Sequence, residues 1–96
     1  MKIYVGCFAP HVGPPRPNQM RLVWREVARE QDLPRVVEYT CGCEDTFYEL
    51  CREAGLAYIR RITRLDGAVQ AIHETYRWRC KETHEVWIAL LNGEAQ

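Results

Sequence analysis

Ninety-six residues make one domain, long enough to bury a single hydrophobic core and too short for two. Acidic and basic residues balance at 13 each, which argues against a general polyanion binder, although eleven of the thirteen cations are arginine and leave local anion recognition open. No apolar run reaches the roughly 18 residues of a membrane span, and the opening Met1-Lys2-Ile3-Tyr4-Val5-Gly6 lacks a signal-peptide layout. The expectation is a cytoplasmic protein whose five cysteines (Cys7, Cys41, Cys43, Cys51, Cys80) are reduced thiols.

In chain order, Ile3 to Phe8 is a short apolar run that reads as a buried strand. Ala9 to Pro17 follows as a long loop with four prolines, His11, Gly13 and Arg16. Asn18 is placed to cap a first helix, because Met20, Val23, Trp24 and Val27 fall at helical spacing and Leu33-Pro34 closes the segment. Val36 to Thr40 reads as a second strand, and Cys41-Gly42-Cys43 turns the chain. Glu44-Asp45 opens a second helix with Phe47, Leu50, Cys51 and Ala54 on one face and Gly55 as its left-handed cap. Leu56 to Ile62 is expected as an edge strand, Asp66-Gly67 as the start of a third helix through Val69, Ile72 and Tyr76, and Val86 to Leu91 as a strand covered on both faces. The order β-α-β-α-β-α-β predicts one α/β domain over residues 1–96: a small Rossmann-like, three-layer fold with a mostly parallel sheet of order 3-2-1-4.

Ligands of open parallel sheets bind beyond the carboxyl ends of the strands. That rule gathers Gly6, His11, Arg16, Gly42, Cys43, Asp45, Asn92 and Gly93 into one candidate site. Glu44 and Asp45 already supply negative charge to the second helix's first turn, so a hydroxyl-rich ribose or a cationic group suits that corner better than a phosphate. Zinc is not expected, because Cys41-x-Cys43 is shorter than the usual paired-cysteine spacing and the other thiols are scattered. Cys43 is not expected to be catalytic, since no histidine lies near it in sequence and its neighbours are acidic.

Thr40-Cys41-Gly42-Cys43-Glu44-Asp45-Thr46-Phe47 running to Ala54-Gly55-Leu56, with Glu85 to Gly93 as a later strand and turn, resembles the SLOG superfamily of DprA, Lonely-guy and YpsA-type proteins. The resemblance implies a Rossmann-like fold and a nucleotide or nucleotide-derived ligand. The Pro-Gly-Gly-x-Gly-Thr phosphate loop of the Lonely-guy enzymes is absent, so it does not imply phosphoribohydrolase activity or a cofactor.

A competing reading makes the chain a non-catalytic inhibitor or adaptor, of the kind phages direct at host complexes. Its partner surface would be an arginine stripe at Arg21, Arg25 and Arg29 on the first helix, or an exposed sheet edge. A homodimer through the strand Val86 to Leu91, burying Trp87, is also expected, and a nucleic-acid partner is not.

Overall fold

The computed structural model describes residues 9–28 and 34–96. Its core is an antiparallel sheet with one helix among the described residues, and this overturns the parallel Rossmann-like expectation. The strands are β1 (Arg25–Val27), β2 (Arg35–Tyr39), β3 (Thr46–Glu53), β4 (Leu56–Leu65), β5 (Ala68–Glu74) and β6 (Trp78–Arg79), followed by α1 (Cys80–Leu91). The sheet order is β1-β5-β4-β3-β2, with β6 pairing beside the start of β4.

Two tight turns dictate this topology. Glu53 pairs with Leu56 around Ala54-Gly55, and Leu65 pairs with Ala68 around Asp66-Gly67. All four turn residues have positive φ (51° and 81°, then 53° and 81°). That backbone matches the right-handed twist of paired strands and closes a two-residue hairpin. The same left-handed preference of glycine that would end a helix at Gly55 here reverses a strand. The segments expected as the second and third helices are therefore β3 and β5, and β4, expected at an edge, runs between them.

β3 and β4 lack a clean polar-apolar alternation because both faces of the sheet bury apolar groups. On one face Leu50 lies opposite Ile59; on the other Cys51 lies opposite Tyr58 and Ile62 opposite Ile72, and all six are buried. The backbone N–H of Ile59 donates to Thr75 Oγ1 (3.0 Å), and the Thr75 N–H donates to Ile59 O, so the ladder stays satisfied where β5 ends.

The last apolar run is helical, correcting the expected final strand. A short continuous run cannot be assigned to strand or helix by periodicity alone. Here Thr83, Trp87 and Leu90 share the buried face at helical spacing. Trp87 and Leu90 are fully buried against Leu50, Ala57 and Ile59 on the sheet. The Gly93 N–H donates to Leu90 O and the Glu94 N–H to Ala89 O, with Gly93 at φ 76°, which is a Schellman closure of the helix. Trp87 thus belongs to this chain's own core, and the edge-strand premise of the expected dimer is removed.

Met20 to Val27, expected on a first helix, is extended and ends in β1. Before it, residues 13–22 lie along the chain that leaves α1. Gly13 donates to Leu91 O (2.8 Å), Arg16 to Gly93 O (2.9 Å), Met20 to Glu94 O (2.9 Å) and Leu22 to Gln96 O (2.7 Å). The proline-rich segment is a strap held by backbone hydrogen bonds. The expected strand Ile3 to Phe8, with Gly6 and Cys7, lies outside the described residues, as does Arg29.

Candidate functional site

The strap carries His11 to the turn between β2 and β3. The Cys41 N–H donates to Pro10 O (2.8 Å), and on the other side of the turn Thr40 and Tyr48 exchange hydrogen bonds (Thr40 N–H to Tyr48 O, Tyr48 N–H to Thr40 Oγ1, both 2.9 Å). Thr40 and Cys41 are buried, while Cys43, Glu44 and His11 face solvent. One donor atom each from His11, Cys41 and Cys43 lie within 4.8 Å of one another.

His11 is held at both ring nitrogens. Its Nε2 lies 3.5 Å from Cys43 Sγ, and its Nδ1 lies 3.1 Å from Glu44 Oε1. A tetrahedral zinc ion, with bonds of about 2.3 Å to sulfur and 2.0–2.1 Å to nitrogen, separates its sulfur and nitrogen ligands by about 3.6 Å. The Cys43–His11 distance matches that edge. The carboxylate on the far ring nitrogen is the partner that metal-bound histidines usually have, since it fixes the tautomer and raises the basicity of the ligating nitrogen.

Arg64, on β4, holds the turn from below. Its Nη2 donates to the carbonyls of Gly42 and of Glu44 (2.6 Å for the latter), and its guanidinium lies 4.9 Å over the Phe47 ring. The Arg64 N–H also donates to Asp45 O (2.7 Å). Side-chain and backbone bonds from one residue thus fix the segment that carries Cys43 and Glu44. A pocket of about 450 Å³ opens beside the cluster, lined in part by His11, Thr40, Cys41, Glu44, Asp45 and Tyr48.

Of the residues gathered from the sequence, His11, Gly42, Cys43 and Asp45 share this corner. Arg16, Asn92 and Gly93 do not. Arg16 Nε donates to Asn92 O (2.9 Å), and Gly93 is the helix terminus against which the strap lies. The expected arginine stripe is dispersed, because its helix is absent: Arg25 lies on β1 over the Tyr76 ring (5.0 Å), and Arg21 lies on the strap. Sequence reasoning missed Cys41, Glu44 and Arg64 as members of the site. His11 and Cys43 are 32 positions apart, so spacing alone gave no hint that a third donor stood beside Cys41-x-Cys43.

The other buried thiol differs in kind. Burial foremost, and then the Glu49 carboxylate, push the Cys51 thiol up to about 12. It is a core group, neither nucleophile nor metal ligand. Among the described residues no helix is long and apolar enough to cross a membrane.

Comparison with known proteins finds no matching family model, no matching curated protein and no matching solved structure. Nothing in those comparisons bears on the resemblance to SLOG proteins, but the antiparallel sheet departs from the fold which that resemblance implies.

Proposed function

We propose that this domain binds one thiophilic divalent ion, zinc being the natural candidate, through His11 Nε2, Cys41 Sγ and Cys43 Sγ. The observation that carries the reading is the convergence of two thiols and an imidazole, from segments far apart in sequence, within 4.8 Å. Two thiolates and a neutral imidazole suit zinc and disfavour magnesium or calcium, which prefer oxygen. The ion would fasten the strap to the β2–β3 turn. Its binding free energy would then be partly folding free energy, since the donors are assembled only by the fold.

A second reading rests on one geometric fact. Cys43 Sγ, His11 Nε2, His11 Nδ1 and Glu44 Oε1 form a chain of the kind that activates a nucleophilic thiol. Cys41 favours the metal, because it supplies a second soft donor beside Cys43 and His11, which the thiol–imidazole–carboxylate chain itself does not require. The nucleotide-derived ligand expected from sequence depended on loops collected at the ends of parallel strands. In the antiparallel fold Asp45 remains in a pocket, but Arg16 and Asn92 are carried elsewhere.

Titration of chelator-treated protein with Co²⁺ and Zn²⁺ tests both readings. One ion per chain should bind, with thiolate-to-cobalt charge-transfer absorption that is lost in Cys41→Ser and Cys43→Ser and retained in Cys80→Ser. If no ion binds stoichiometrically, yet Cys43 alkylates rapidly and His11→Ala slows that reaction, the nucleophile reading prevails.

A further inference from the structure

Tyr48 lines the pocket beside the cysteines and also a second one. That second pocket, about 360 Å³, is framed by Arg21, Trp24, Arg61 and Tyr48, with Leu22 and Gln96 closing one side. The three arginines of β4 differ in how they are satisfied. Arg60 faces the Glu49 carboxylate (3.6 Å), and Arg64 is spent on the Gly42 and Glu44 carbonyls. Arg61 lies 4.6 Å over the Trp24 ring. A ring face orients a guanidinium but accepts none of its five N–H donors in their plane.

Among the described residues, neither Arg61 nor Arg21 forms an ion pair with a carboxylate. In the register of the sheet, the row through Arg61 reads Tyr48, Arg61, His73, Glu26, so the carboxylate of that row stands two strands away. Arg61 is partly buried, and its charge acts on Tyr48, whose phenol burial pushes up and Arg61 draws down. Two arginines, a stacked indole and a phenol line one cavity, and none of the described side chains lining it carries a counter-charge.

We propose that this pocket binds the oxyanion of a ligand, a carboxylate or a phosphate, between Arg21 and Arg61 with Trp24 and Tyr48 as its aromatic wall. Guanidinium groups match planar and tetrahedral oxyanions through paired N–H donors, and the partial burial of Arg61 strengthens the charge-assisted bonds it would make. The site stands on its own geometry. Only the further step, that a molecule anchored here extends past Tyr48 toward His11 and Cys41, rests on the metal reading.

The test follows the indole N–H resonance of Trp24 during titrations with inorganic phosphate and, separately, with acetate, at constant ionic strength. Saturable movement of that resonance, with the Trp87 indole unmoved in the core, is expected for at least one anion. Preference for phosphate assigns a phosphate-bearing ligand, and preference for acetate a carboxylate-bearing one. Arg61→Gln and Arg21→Gln should each weaken binding about tenfold or more, the equivalent of one charge-assisted hydrogen bond. Arg21 is exposed on the strap, so its variant keeps the test valid should Arg61→Gln unfold the sheet. Repeating the titration on Cys43→Ser separates the two proposals, because phosphate held by an ion would be lost there and phosphate held by the arginines would not. A linear drift of the Trp24 resonance, or unchanged affinity in both arginine variants, overturns the inference.

Discussion

Gly93 carries three duties at once, and replacing it by alanine separates them. It adopts φ +76°, closes α1, and lies against the strap so tightly that an added Cβ would collide with the backbone of Pro14, 2.9 Å from its carbonyl carbon and closer still to the oxygen. The left-handed backbone alone costs a non-glycine residue about 1–2 kcal/mol. Relieving the collision means moving the strap, which gives up hydrogen bonds to Gly93 O from the Arg16 N–H (2.9 Å) and Gln19 Nε2 (2.8 Å), each worth about 0.5–1.5 kcal/mol net. The expected loss is about 2–5 kcal/mol, a large part of the stability of a domain this size. Gly55→Ala is the matched control: φ is +81°, and nothing lies within 4 Å of the added Cβ. It should lose only about 1–2 kcal/mol. Urea unfolding of both variants reads the difference directly. Because the strap carries His11, Gly93→Ala should also weaken Zn²⁺ binding while Gly55→Ala leaves it intact. Equal destabilisation by the two alanines would refute the strap contact and the reasoning built on it.

Ala54 sits at φ 51° in the first hairpin turn, so Ala54→Asn should stabilise the fold by about 0.5–1 kcal/mol, seen as a higher urea midpoint; destabilisation would mean the turn is not left-handed. Arg64→Lys keeps the charge but gives up the bridge between the Gly42 and Glu44 carbonyls. Competition against a chromophoric chelator should show Zn²⁺ affinity falling about tenfold or more, and unchanged affinity would exclude Arg64 as a positioning residue. Cys51 and Tyr58 are both pushed up to about 12 from 9.0 and 10.0, chiefly by burial. The folded state therefore holds those protons more tightly than the unfolded chain. Stability from this source is fully present below pH of about 9 and drains away as pH climbs toward 12. Chemical denaturation across that range should show the decline, and Cys51→Ala should flatten it.

By itself the sequence determined the local chemistry of this protein. Strand propensity located β2 and β4 within a few residues. Glycine with its neighbours marked where one element gives way to the next, at Ala54-Gly55, Asp66-Gly67 and Asn92-Gly93. What those boundaries join was a matter for tertiary structure. A left-handed residue ends a helix or closes a hairpin with the same φ, and only the partner strand decides between them. Phe47, Leu50, Cys51 and Ala54 fit a helical stripe, yet within β3 Phe47 and Cys51 take one face and Leu50 the other, because the sheet buries apolar groups on both sides. Val86 to Leu91 is apolar throughout, and its helix is fixed by Thr83, Trp87 and Leu90 meeting the sheet. The site divides in the same way. Cys41-x-Cys43 alone is too short a spacing to signal a zinc pair, and His11 reaches it only because the strap is hydrogen-bonded along the chain that leaves α1, a contact no spacing rule reports.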